Sequence, residues 1–280
     1  MGTGRSIGWF TTGRDAEAVS LLETILKGIE AGSIEGSLAY IAMNRERGEG
    51  TFSDRIIDLG REQGITCICL SSDSFEPELR RKGRTSPQIM AQWRHRFHHE
   101  LLQRMNGHVA DFVVLAGYML IVSPEMCQAL HLINLHPAPP GGPAGTWQEV
   151  IWKLIRMRAQ ESGVLIHLVT PELDKGPPIA YCIYRIRDGE LDEGWHGMDE
   201  RLAGMSIHDI MKQEGEENLL FRMIRSEGVR REVPLLFETI RWLCSGRLNI
   251  EGERVYCDGR EYPGGVCLTE EVERIIAGRD

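Results

Sequence analysis

Short apolar runs alternate along this chain with segments whose apolar residues recur at helical spacing, and that alternation restricts the fold more than any other feature. Residues 7–10, 38–43 and 66–70 read as buried strands, and 16–29 as a helix. The pattern continues with a helix over 87–105, a strand over 112–116, a helix over 124–130 and a strand over 132–135. A helix over 146–159 and strands over 164–169 and 179–186 follow, then a long helix over about 230–244 and a hairpin built on 247–250 and 254–257. Strands separated by helices pair in parallel, so the expected fold is α/β, Rossmann-like, with a mostly parallel sheet flanked by helices and a carboxyl-terminal helix and hairpin. There is no internal repeat and no linker that marks a second domain, so residues 1–280 are expected to form a single domain.

Within this frame one pair of residues carries chemistry. Residues 130–135 are apolar except for His131 and Asn134, and in a strand residues two apart point to the same face. Asn134 and His136 therefore project together at the strand's exit. Beyond them the chain holds four prolines and three glycines between Pro137 and Gly145, so neither helix nor ladder continues and the loop is stiff. Asp174 stands downstream, just before Gly176 and Pro177. An amide, an imidazole and a carboxylate at loop mouths are the parts needed to move an acyl group between two bound molecules.

Composition excludes several other classes. The formal net charge is −9 and residues 188–217 hold ten acids against two bases, which opposes nucleic-acid binding and marks an exposed excursion. The longest apolar run, 112–122, is far short of the roughly 20 residues that span a bilayer, and the first residues lack a basic start before an apolar core. A cytoplasmic location is the expectation. Seven scattered cysteines fit a reducing compartment, and Cys67 with Cys69 reads as core packing rather than a zinc site. His95 and His99 share a helical face without a metalloprotease glutamate, so no metal is expected. Between Glu76 and Gly107 seven bases face three acids, a local positive excess that suits an anionic ligand.

The blocks Leu115-Ala116-Gly117-Tyr118-Met119, Ser123-Pro124, Ile133-Asn134-Leu135-His136-Pro137, His167-Leu168-Val169-Thr170 and Leu173-Asp174-Lys175-Gly176-Pro177 occur in the order found in the phosphoribosylglycinamide formyltransferases, which this chain resembles. The resemblance is close over residues 111–186 and extends to the final hairpin. It implies transfer of a formyl group from 10-formyltetrahydrofolate to the amine of glycinamide ribonucleotide in purine biosynthesis, without a metal. Small-molecule substrates are expected, and the oligomeric state stays open between monomer and homodimer. By resemblance Asn134, His136 and Asp174 are catalytic. Thr12, Gly13, Arg14, Arg94 and Pro137 bind the acceptor, with Arg94 suited to phosphate. Gly117, Met119, Leu120 and Val122 line the folate site. His167 matches a family histidine, as a residue behind the catalytic groups or as a satisfied core side chain.

The chain departs from the family pattern in four places. The first turn reads Thr12-Gly13-Arg14-Asp15-Ala16-Glu17, with carboxylates where a phosphate-cradling turn has none. Residues 71–86 and 188–225 look inserted. Leu120 replaces a frequent arginine, and Glu227-Gly228 stands where the family has a substrate-contacting Glu-His. A different amine, such as an amino sugar nucleotide, therefore remains an alternative acceptor, as does a non-catalytic ligand-binding relative. A formyltetrahydrofolate hydrolase would carry an additional amino-terminal domain, and a methionyl-tRNA formyltransferase a larger carboxyl-terminal one.

Overall fold

The computed structural model describes residues 4–278. Its elements are, in order, β1 (Arg5–Thr11), α1 (Ala16–Glu30), β2 (Gly36–Met43), α2 (Thr51–Glu62), β3 (Thr66–Cys69), α3 (Pro77–Gly83), α4 (Pro87–Arg104), β4 (Phe112–Leu115), α5 (Pro124–Ala129) and β5 (Leu132–His136). They continue with α6 (Trp147–Met157), β6 (Glu161–Leu168), β7 (Pro178–Arg185), α7 (Leu191–Leu202), α8 (Ile207–Glu214), α9 (Leu219–Cys244), β8 (Leu248–Glu251), β9 (Arg254–Cys257), β10 (Arg260–Glu261), β11 (Val266–Cys267) and α10 (Thr269–Ile276). The chain divides into two compact units.

The first unit comprises residues 1–134, 168–176 and 240–259. Its strands lie in the order β5-β4-β1-β2-β3 and all pair in parallel, as helical crossovers require. Phe10 of β1 stands opposite Leu115 of β4, and Leu115, the last residue of β4, opposite Asn134 of β5. Helix α4 covers this sheet with Trp93, Phe97 and Leu101, one helical turn apart and buried with Phe10, Tyr40 and Val113. Trp93 stacks on Phe97 at 5.0 Å between ring centroids. Hairpin β8–β9 is antiparallel and turns at Gly252, whose φ of 62° suits glycine.

The second unit comprises residues 135–167, 177–239 and 260–280. Here β6 and β7 are antiparallel and β11 adds in parallel to β7. The acidic excursion is largely helical. It folds into α7, α8 and the first turns of α9, burying Trp195, Met198, Ile210 and Phe221, because apolar residues recur among the acids at helical spacing. The long helix accordingly begins at Leu219 rather than near residue 230. Helices α2 and α10, unread in the sequence, and α3 within the 71–86 segment complete the elements.

Candidate active site

In an open parallel sheet, ligands bind beyond the carboxyl ends of the strands where the strand order reverses. In the first unit that point is β1 and β4, and the turns that leave them are bonded to each other. Thr12 N–H donates to the Gly117 carbonyl at 3.2 Å, and Met119 N–H donates to Thr12 Oγ1 at 2.8 Å. Gly13 (φ 58°) has no room for a side chain, since a Cβ would stand 2.8 Å from Ser53 Cα, and Gly117 takes a left-handed φ of 67°. The structure thus brings Thr12, Gly13, Gly117 and Met119 together. Met119 and Ile121 are exposed, Leu120 is half-buried against the core, and Val122 is buried.

The loop from Tyr118 to Ser123 is held by His98, a residue the sequence reading left unused. His98 is buried; its Nδ1 accepts the Ser123 N–H at 3.1 Å, and its Nε2 lies 3.4 Å from Tyr118 Oη. An Nδ1 that accepts leaves the proton on Nε2 of a neutral ring, so Nε2–H faces the phenol oxygen. Burial, and then the Arg94 guanidinium one turn earlier, push His98 down to about 4, against a smaller opposing pull from Glu125. One signal for it existed in the sequence: His98 directly follows Phe97 in the buried 93/97/101 stripe of α4.

Arg94 itself is half-buried, and burial pulls its guanidinium below the usual range. Most of the predicted basic cluster is neutralised locally. Arg80 pairs with Asp73, Arg81 with Glu78, Arg96 with Glu76, and Arg104 with Glu100. Arg94 has no carboxylate partner among the described residues.

Asn134 lies on β5 and is the last residue of that strand to fall in the first unit, and His136 lies two residues on along the same strand. Asp174 belongs to the first unit in the loop 168–176, which is anchored to β5 by Val169 N–H donating to the Leu132 carbonyl at 2.7 Å. Asp174 is half-buried with φ 55°, a left-handed conformation that aspartate tolerates better than most residues. The loop folds back so tightly that a Cβ on Gly176 would overlap the Leu168 carbonyl oxygen at 1.6 Å.

His136 is buried in the second unit, where its Nε2 lies 3.2 Å from the Pro143 carbonyl and its ring centroid 6.4 Å from that of His167. A carbonyl only accepts, so Nε2 carries a proton. The following loop is rigid. Ala138 N–H donates to the His136 carbonyl at 3.0 Å beside the half-buried Pro137, and Thr146 with Glu149 forms a capping box that starts α6. A side chain at Gly145 would strike Glu149, and one at Gly163 would stand 2.9 Å from Pro139.

Both departures at the expected acceptor positions are absorbed by contacts within the protein. Asp15 caps α1, accepting Ala18 N–H at 3.1 Å, and pairs with Arg14 at 3.0 Å. Arg14 also reaches Met119 Sδ at 3.7 Å. Glu17 is exposed in the first turn of α1. In the second unit Glu227 lies 2.6 Å from the buried Arg231, which also pairs with Glu273 at 2.7 Å and stacks over Tyr184 at 4.4 Å. The second unit also carries an open groove of about 550 Å³ lined by Trp147, Leu219, Phe221, Met223 and Arg225, with Arg225 4.7 Å over the Trp147 ring. At the edge strand β3, burial pushes the Cys69 thiol up to about 12, and Cys67 also rises.

Residues 48–194 match the family described as formyl transferase. The chain is 23% identical over 249 residues to the phosphoribosylglycinamide formyltransferase of Escherichia coli, an alignment covering 87% of this chain and 91% of that protein. Among solved structures it is similar to phosphoribosylglycinamide formyltransferase from Coxiella burnetii, with a TM-score of 0.63, 17% identity and coverage of 94% of this chain and 99% of that one. It is also similar to formyltetrahydrofolate deformylase from Burkholderia mallei, with a TM-score of 0.55, 18% identity and coverage of 91% and 70%. Sheet order, loop anchoring and these similarities converge: the chain belongs to the formyl transferase family, as a folate-dependent formyltransferase of the phosphoribosylglycinamide formyltransferase group.

Proposed function

We propose that the protein transfers a formyl group from 10-formyltetrahydrofolate to the amine of glycinamide ribonucleotide, with Asn134, His136 and Asp174 as the catalytic residues. The observation that carries this reading is the placement of Asn134 and His136 two residues apart on β5, beyond which the chain turns into a stiff loop. Formyl transfer to an amine passes through a tetrahedral intermediate whose oxygen gathers negative charge. The Asn134 amide donates one hydrogen bond to that oxygen, and the His136 imidazole, doubly protonated in its charged form, donates another. One such donor contributes about 100- to 1000-fold in rate. The attacking amine loses a proton and N10 of the folate gains one. Asp174, directly or through water, is the group assigned to that relay, a contribution of about 100- to 10,000-fold. The backbone of the Gly117–Val122 loop and the exposed Met119 are assigned to the folate, with His167 behind His136.

A second reading keeps this chemistry and changes the acceptor to another amine, such as an amino sugar nucleotide. It is favoured by the engagement of Asp15 with Ala18 and of Glu227 with Arg231, the two places where a phosphorylated acceptor was expected to bind. Incubation with 10-formyltetrahydrofolate and a panel of amines that includes glycinamide ribonucleotide, followed by mass analysis of the products, separates the two. Formylated glycinamide ribonucleotide supports the first reading, and formylation of an unrelated amine alone removes it.

A further inference from the structure

We propose that Arg45, on the loop between β2 and α2, is an anion-binding residue that holds the phosphate of a phosphorylated acceptor in place of the backbone amides of the first turn. The inference rests on the reading of the protein as a formyltransferase with such an acceptor, and it identifies how the phosphate is recognised.

Three backbone amides at and just beyond the first turn are already engaged within the protein. A cradle needs backbone N–H groups directed at the ligand. Here Thr12 N–H donates to the Gly117 carbonyl, Gly13 N–H to Thr11 Oγ1 at 3.1 Å, and Ala18 N–H to the Asp15 carboxylate at 3.1 Å. The Asp15 carboxylate stands where an anion at the start of α1 would otherwise sit, and Arg14 is turned to it.

Arg45 supplies a donor at the same turn. Its guanidinium reaches the Gly13 carbonyl at 3.4 Å from the carboxyl end of β2, the strand next to β1. Arg45 is half-buried, and no carboxylate among the described residues pairs with it. The two acids of its own loop are committed elsewhere: Glu46 faces Arg104 at 3.7 Å, and Glu49 bonds to Ser71 Oγ at 2.5 Å and to the Glu46 N–H at 2.8 Å. Gly50 keeps the space for the guanidinium open, because a Cβ there would stand 3.0 Å from Arg45 Nη1. One weak hydrogen bond to a carbonyl uses a single donor of the five that a guanidinium carries in a fork matched to phosphate oxygens. A half-buried, unneutralised guanidinium at the mouth of a parallel sheet is an arrangement suited to an oxyanion such as a phosphate monoester.

The test is calorimetric titration of inorganic phosphate and of glycinamide ribonucleotide into the wild type, Arg45→Ala and Arg45→Lys, with melting temperature as the check on folding. Arg45→Ala is expected to weaken both ligands by about 10- to 100-fold, with 10-formyltetrahydrofolate binding unchanged. Arg45→Lys keeps the charge without the planar fork, falls between, and carries the test if the alanine variant does not fold. Phosphate affinity equal to wild type in a folded Arg45 variant overturns the inference, as does a wild type that binds neither phosphate nor the ribonucleotide. Arg45-dependent binding of phosphate without binding of glycinamide ribonucleotide supports the anion site and removes that ribonucleotide as acceptor. Binding of glycinamide ribonucleotide that ignores Arg45 leaves the acceptor reading standing and removes the inference.

Discussion

His98 Nδ1 accepts the backbone N–H of Ser123 at 3.1 Å, so a neutral imidazole inside the first unit ties helix α4 to the far end of the loop assigned to folate. The ring titrates down at about 4 rather than near 6.5, because burial and the nearby Arg94 disfavour its charged form. In the window between these values the unfolded chain binds the proton and the folded chain does not. Stability is therefore full above about pH 6.5 and declines as pH falls toward 4, by roughly 3 kcal/mol for this one group. Denaturant titrations at several pH values on the wild type and His98→Asn check this. Asparagine is expected to keep the Ser123 bond and flatten the pH dependence in that window, and an unchanged slope removes His98 as its source.

Asp15 and Glu17 are predicted to restrain acceptor affinity. Asp15→Gly with Glu17→Asn is expected to cost only a few tenths of a kcal/mol in stability, since glycine is tolerated at a helix N-cap. The same change releases Ala18 N–H and Arg14, so glycinamide ribonucleotide should bind more tightly in direct titration. A marked loss of affinity would show that these carboxylates recognise a different acceptor.

Arg94→Ala is expected to raise the KM for a phosphorylated acceptor by about tenfold while leaving 10-formyltetrahydrofolate binding close to wild type. A charge-assisted contact of that kind acts on ground and transition states alike. Steady-state kinetics with each substrate varied in turn decide the matter, and an unchanged acceptor KM takes Arg94 out of the site.

Replacing His136 or Asp174 is expected to abolish nearly all transfer while the melting temperature stays near wild type. The two act as one unit, so the double variant should lose little more than the worse single variant. Fully additive losses would mean that the residues serve separate steps.

Much of this arrangement was legible because it follows short periods. The strand that carries Asn134 and His136 is a compact apolar run with a proline-rich exit, and the period of two places the pair on one face whatever the rest of the chain does. Long-range partners were not legible. The pairing of Glu227 with Arg231 is local, four residues along one helix, but the second carboxylate on Arg231, that of Glu273, lies 42 residues away in sequence. Helix α2 escaped because its buried residues Ile56, Ile57 and Leu59 sit among charges and follow a glycine rather than a capping side chain. The turn at Asp15 was half legible for a related reason. The sequence shows a carboxylate beside the expected phosphate, and the fold adds that this carboxylate caps its own helix.

The most direct measurement of the central claim follows an isotopically labelled formyl group on 10-formyltetrahydrofolate in a single turnover, with and without glycinamide ribonucleotide, in the wild type and in Asp174→Asn. Acceptor-dependent appearance of the label in the amide of the ribonucleotide, lost in Asp174→Asn, is the predicted result. Release of the label as formate at the same rate with or without the acceptor would contradict it, and would identify water as the group that Asn134, His136 and Asp174 serve.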